Sequence, residues 1–382
     1  MKTLSKIKLH LVAFDIPFPP NYGGAIDVFY KVKFLSEAGV EIYLHCPQYA
    51  DRKPNKELES LCKHVFYYHR KTGLAGLSTH IPYMVFSRRN NALLKNLVEI
   101  DAPILFDGVS TSFYLSHPSL KQRTKILRPQ NIEQDYFSQL AKREKSFMKR
   151  LYYLLEAKLL KQYENKLNAA DAFFTVAQHD HDFFAKKYPQ SDHQYLPSFQ
   201  PYVKIESLVG TGNFCLYHGN LALAENEEAA LFLLDQIVPH LKYPFILAGR
   251  NPGKHLLQRA ALLPNCMVKA NPTMTEMDQL IATAQIHCLP TFQNTGLKLK
   301  LLHALFKGRH VLVNEEMVHG TGLKEACCVC TTPAQMLESI NTLMSQPITE
   351  DDLNYRQSIL EAHYDNRKNA QTIITYLQLK SL

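Results

Sequence analysis

No apolar run in this chain approaches the ~18 residues that a membrane-spanning helix needs. The start, MKTLSKIKLHLVAFD, carries lysines and then a short apolar run that ends at Asp15. It reads as a first strand and not as a signal peptide. The expectation is a cytoplasmic protein, extended at most to a peripheral place at the inner face of the cytoplasmic membrane. Cysteine is sparse as well: 8 in 382 residues exclude a disulfide scaffold. Cys327, Cys328 and Cys330 cluster as CCVC, but no second pair lies at zinc spacing, and a buried strand using small apolar thiols is the plainer reading. No low-complexity tract or fine internal repeat occurs. A GxGxxG is also missing. The first glycine loop, PFPPNYGGAIDV, offers only Gly23 and Gly24, and no acid stands clearly at the end of the second strand, which disfavours a nicotinamide dinucleotide site.

What is present is a globular composition, with 46% hydrophobic and 20% charged residues, in a chain too long for one ordinary core. The net charge of +8, from 43 Lys+Arg against 35 Asp+Glu, suits anionic ligands or surfaces. Apolar segments at 6–14, 41–47, 64–70, 103–108, 124–131 and 172–177 read as strands, with helix-length segments between several of them. A polar, Pro- and Gly-containing stretch at 198–212 marks a domain boundary. The pattern then restarts, with strands at 213–220, 243–251, 265–271, 285–292, 309–314 and 327–332. Such alternation predicts βαβ units and a doubly wound parallel sheet in each half.

TGLKLKLLHALFKG, residues 295–308, follows the strand QIHCLPTF. Leu297, Leu301, Leu302 and Leu305 form one helical stripe, while the first turn carries Lys298 and Lys300 and no acid. A helix N-terminus favours anions, so a glycine-containing loop followed by two lysines is an arrangement for a diphosphate. HDHD at 179–182 contains Asp180 and Asp182, but residues two apart on a helix diverge by roughly 200°. A helix cap is the reading there, not a metal chelate. LAKREKSFMKRLYYLLEAKLLKQYENKL, 140–167, holds eight Lys/Arg against three Glu, with Phe147, Leu151, Leu154, Leu155 and Leu159 on an apolar face. It reads as a long helix packed on its own core, with a membrane-surface contact as the sharper alternative.

PFPPNYGGAIDV, HGNLALAENEEA, FILAGR and TGLKLKLLHALFKG, in this order, resemble a bacterial nucleotide-sugar-dependent glycosyltransferase of the GT-B type, nearest to the retaining "glycosyl transferase group 1" enzymes. The resemblance covers nearly the whole chain. It implies an α/β fold of two Rossmann-like domains facing a cleft: an acceptor-side domain at 1–200, a nucleotide-sugar domain at 201–365, and a last helix at 366–382 crossing back to the first. Carried over by residue, it puts Gly23, Gly24, Gly219, Asn220, Arg250, Thr295, Gly296, Lys298, Lys300 and His303 on the donor side. Arg128, Gln130, Asn131 and Glu133, from RPQNIEQDYF, fall on the acceptor side. Asp107, at the end of PILFDG, is the nearest candidate carboxylate by topology, with a loop cap as its plainer role. Asp107, Gln130 and Lys298 are therefore the catalytic candidates.

Three departures accompany the resemblance. Relatives commonly carry two glutamates where Thr295 and His303 stand, and a histidine where Gln130 stands. The Arg and Lys common after the first donor-domain strand are missing, which leaves Lys298, Lys300 and Arg250 as the principal phosphate partners. The implied reaction moves a sugar from a nucleotide diphosphate sugar to a glycan or lipid-linked acceptor. No metal or other cofactor is expected. The expected partners are the nucleotide sugar, the acceptor and weakly an anionic membrane surface, with no nucleic acid. A noncatalytic nucleotide- or glycan-binding relative, or a nucleotide-sugar epimerase of the same fold, is the alternative.

Overall fold

The computed structural model describes residues 7–49, 51–144, 146–292 and 299–380. The chain divides into two compact units: one runs to Pro201 and includes the segment from Tyr364, and the other is Tyr202–His363. Each is an α/β unit around one parallel sheet.

The first sheet has seven strands: β1 (Lys8–Val12), β2 (Glu41–Gln48), β3 (His64–His69), β4 (Ile104–Asp107), β5 (Lys125–Arg128), β6 (Ala172–Thr175) and β7 (Asp192–Tyr195). Their order is β3-β2-β1-β4-β5-β6-β7, with every neighbouring pair parallel. The central strands ILFD, KILR and AFFT are buried along their whole length, because helices cover both faces of such a sheet. β7 reads DHQY, a short polar edge strand without the apolar run that marks the other six, and this is why the pattern passes over it. The helix Asn366–Leu379 belongs to this unit. Its Ala370, Ile373, Ile374 and Leu377 share a core with Val28, Phe29 and Val32 of the helix Gly23–Glu37. Asn366 fixes its start by donating to Gln200 O (2.7 Å) and accepting from Gln200 N (3.1 Å).

The second sheet contains β8 (Cys215–Asn220), β9 (Phe245–Arg250), β10 (Cys266–Ala270), β11 (Ile286–Cys288), β12 (His310–Val313) and β13 (Cys328–Val329). Their order is β10-β9-β8-β11-β12-β13, again all parallel. Both orders run outward from the first strand in each direction, and ligands bind outside the carboxyl ends of such sheets near that reversal.

The basic segment differs from its expectation. It forms two helices, Glu133–Arg143 and Phe147–Tyr163. In the second, the buried residues are Glu156, Ala157, Leu160 and Tyr163. The expected packing residues Phe147, Leu151, Leu154 and Leu155 are instead exposed. The cap reading of HDHD also changes. The helix Gln178–Lys187 is preceded by Ala177, and Asp180 lies inside its first turn, buried. Asp182 accepts from Gln178 Nε2 at 2.8 Å.

Candidate active-site residues

In the first unit a charged cluster lies under the carboxyl ends of β4 and β5. Asp27 and Lys31, one turn apart on the helix Gly23–Glu37, point into it and are fully buried with Asp107 and Arg128. Lys31 Nζ donates to Asp27 Oδ2 (2.9 Å) and to Asp107 Oδ2. Arg128 grips Asp27 in a fork, Nη2 to Oδ1 at 3.0 Å and Nε to Oδ2 at 3.2 Å, and donates to Leu196 O and Pro197 O. The Phe199 N–H adds a 2.7 Å bond to Asp27 Oδ1. Two cations balance two anions, the condition under which buried charges are tolerated. The arginine and lysine together hold the Asp27 carboxyl below its ordinary range, against the opposing effect of burial.

Both expected site residues of this cluster are fully buried. Asp107 ends β4, and its oxygens accept from Lys31 and Gln130. The Arg128 guanidinium is directed inward to Asp27 and to the Leu196 and Pro197 carbonyls. Gln130 stays at the edge. It is half-buried and donates Nε2 to Asp107 Oδ1 at 2.7 Å and more distantly to Asp27 Oδ2 at 3.4 Å. Its carbonyl oxygen has no hydrogen-bond partner among the described residues and can accept from a hydroxyl.

Asn131 is half-buried beside it, and Glu133 opens the next helix. Burial, reinforced by Asp180, raises the Glu133 carboxyl to about 7, with Arg88 pulling the other way. Asp180 is itself raised to about 7, by burial and by Asp135. A carboxyl that changes charge near neutral pH is suited to proton transfer. Gly23 and Gly24 begin the helix that carries Asp27. A Cβ on Gly24 would lie 2.4 Å from the Phe14 ring, so the glycine lets this turn seat against the end of β1.

In the second unit β8 and β9 meet at Gly219 and Gly249, with Asn220 opposite Arg250 one residue further. A Cβ on Gly249 would fall 2.0 Å from Gly219 O, so the two strand ends approach more closely than any side chain permits. Asn226, in the first turns of the helix Ala224–Gln236, donates to Asn220 O at 2.9 Å and accepts from Lys300 Nζ at 2.9 Å. Lys300 also donates to the Tyr217 hydroxyl, Oη, at 3.2 Å and lies 5.0 Å from that ring. Arg250 is exposed, and its guanidinium has no partner among the described residues. Gly219, Asn220, Arg250 and Lys300 are thus brought to one strand edge, with the Lys300 ammonium held beside Asn226 and Tyr217.

His303 is elsewhere engaged. Its Nε2 meets Asp278 Oδ1 at 3.1 Å, and its ring stacks on Tyr202. That hydrogen bond is the main reason the Asp278 carboxyl falls to about 2. The Nε2 of this imidazole is thus occupied by the Asp278 carboxylate. Thr295, Gly296 and Lys298 lie outside the described residues.

The sequence reading missed four residues that build these sites: Asp27, Lys31, Tyr217 and Asn226. A signal existed for the first two, since an Asp and a Lys four apart interrupt an otherwise apolar helix stripe. Asn226 and Tyr217 carry no such mark.

With this geometry the class is defined by fold: the chain has the GT-B fold of glycosyltransferases. Sucrose-phosphate synthase from Thermosynechococcus elongatus superposes with a TM-score of 0.69 at 12% identity, over 98% of this chain and 100% of that one. An α,α-trehalose-phosphate synthase (UDP-forming) from Burkholderia xenovorans, in complex with glucose-6-phosphate, gives 0.59 at 8% identity, over 97% and 100%. A Klebsiella pneumoniae protein described as an uncharacterized 44.6 kDa protein in cps region is 24% identical over 332 residues, 82% of this chain and 84% of its own length. No family model matches the chain.

Proposed function

We propose that this protein is a nucleotide-sugar-dependent glycosyltransferase that moves a sugar, with retention, to a glycan or lipid-linked acceptor in polysaccharide biosynthesis. The observation that carries this reading is the convergence of Lys300 and Arg250 on the Gly219–Gly249 strand edge. A nucleoside diphosphate leaving group needs cations fixed where its charge grows, and such stabilisation is the largest chemical task of the reaction. Lys300 is held for it by Asn226 and Tyr217. Lys298, in the segment just before, is assigned the same task. The UDP-forming and sugar-phosphate relatives of the same fold support a nucleotide diphosphate donor, and no metal is needed where lysine and arginine supply the charge.

On the acceptor side, Gln130 Oε1 receives a sugar hydroxyl, and Glu133 is the group able to take a proton near neutral pH. Asp107 acts only by fixing Gln130. The deciding experiment is thermal shift with UDP and GDP sugars, followed by a donor–acceptor panel. A donor at 100 times its Kd stabilises by about 2.7 kcal/mol. Lys300→Ala should weaken UDP binding by roughly 1.5–3 kcal/mol, the value of a charge-assisted hydrogen bond. Unchanged binding would remove the diphosphate assignment. Donor binding without transfer would identify a noncatalytic relative, a reading favoured by the inward commitment of Asp107 and His303.

A further inference from the structure

The helix Phe147–Tyr163 presents its apolar side to solvent. Phe147 is 75% exposed and Met148 72%, and Leu151, Tyr152, Leu154 and Leu155 are exposed with them. At 3.6 residues per turn these six share an arc of about 160°, and the four buried residues occupy the opposite side. The helix is thus packed by a narrow strip and displays its broader apolar face. Soluble surfaces do not ordinarily show such a run of large apolar groups without a partner.

The charges select the partner. Glu156 is the helix's only acid, and it is turned inward, accepting the N–H groups of Tyr83 (2.9 Å) and Met84 (2.8 Å). Every charged group left on the exposed surface of the helix is therefore a cation: Lys149, Arg150, Lys158 and Lys161. None of the four is in an ion pair with another described residue. Apolar side chains among unpaired cations match an anionic lipid surface, where the rings and leucines enter the interface and the cations meet headgroups. A second copy of the chain would bring the same positive face against itself, which like-charge repulsion opposes.

We infer that this helix docks the protein on an anionic bilayer surface, lying in the interface plane. No described helix is long and apolar enough to span a membrane, so the contact is peripheral. Its use, presenting a lipid-linked acceptor to the enzyme, rests on the transferase reading; the docking itself does not.

The test is flotation of the full chain with phosphatidylcholine vesicles, with and without phosphatidylglycerol, and with no nucleotide or acceptor present. This separates its outcome from that of the donor-binding experiment. Binding should be at least tenfold greater with the anionic lipid. It should fall at least tenfold in a Leu151→Glu, Leu155→Glu variant whose melting temperature matches wild type. Lys158→Glu with Lys161→Glu should weaken binding to the anionic vesicles and leave the weak binding to neutral ones unchanged. No binding to either vesicle, equal binding to both, or wild-type binding by the leucine variant overturns the proposal. So does a concentration-dependent dimer that the leucine variant abolishes, because that result assigns the face to a second copy.

Discussion

Lys31 has no exposed surface and stands between two carboxylates, so its charge cannot be removed without leaving an imbalance that water does not screen. Lys31→Met keeps the length of the side chain but leaves Asp27 and Asp107 facing Arg128 alone. Breaking a buried ion pair from one side costs about 3–5 kcal/mol, and urea denaturation should show a loss of that size. Lys31→Met combined with Asp107→Asn restores neutrality and should lose less than Lys31→Met alone. Additive losses would mean that the two groups do not share one network. Gln130 ties this network to the acceptor side. Gln130→Ala should lower transfer roughly ten- to a hundredfold by removing one well-placed hydrogen bond, while Gln130→His should change it little. Transfer that appears only in Gln130→His would make the wild type a noncatalytic relative. At this scale the sequence was only partly legible. The glycines and Lys300 beside strand ends could be placed from the sequence, because turn residues and apolar runs locate the strand ends. Asp107 and Arg128 do not announce whether they face a ligand or the core. That depends on Asp27 and Lys31 from another element, and on carbonyls of Leu196 and Pro197 far along the chain.

Among elements, the strand pair β8–β9 forms the edge proposed for the donor. On that proposal, its close approach at Gly219 and Gly249 would let a ligand phosphate reach backbone as well as Lys300 and Arg250. Gly249→Ala would place a methyl 2.0 Å from Gly219 O and 2.8 Å from Leu221 Cγ, and backbone cannot give way as a flexible side chain does. The expected cost is about 1–3 kcal/mol of stability, as for other overpacked sites. UDP affinity should also fall, because the strand ends are forced apart. A variant with wild-type melting and wild-type UDP affinity would show that the approach is slack. Twelve of the thirteen strands among the described residues could be read from apolar runs bounded by turn residues, since buried parallel strands have no polar face to blur the pattern. β7 escaped because a short edge strand needs no such run. The helix Phe147–Tyr163 misled for the converse reason: periodicity finds an apolar stripe but does not say which side of the helix the core takes.

For the whole molecule, acid distinguishes the two units. His10, His45, His218 and His287 are buried and neutral. Burial lowers His10 to about 4 and His287 to about 3, and holds His45 and His218 well down. A histidine with a lowered folded pKa contributes full stability above the unfolded value, near 6.5. The contribution is lost as pH falls below that value, because the unfolded chain takes the proton first. Glu133 and Asp180, raised to about 7, have the opposite sign: the folded chain binds their protons first and gains stability as pH falls from 7 towards 4.5. The first unit contains His10 and His45 together with four carboxyls that burial raises, Asp15, Glu133, Glu156 and Asp180, so its losses are offset by gains. The second unit contains His218, His287 and His310, all lowered by burial, and, among its described residues, no carboxyl with a resolved upward shift to offset them. Between pH 6.5 and 4.5 its unfolded form takes up at least about two more protons than its folded form, which amounts to about 3 kcal/mol per pH unit or more. Residues 202–363 should therefore open first on acidification, while the first unit holds. Hydrogen exchange at pH 7.5 and pH 5 should show protection lost in the second sheet and kept in β1, β4 and β5. Equal loss in both sheets would mean that Glu133 and Asp180 do not hold their protons near neutral pH, and with that the proton-transfer role given to Glu133 would fail.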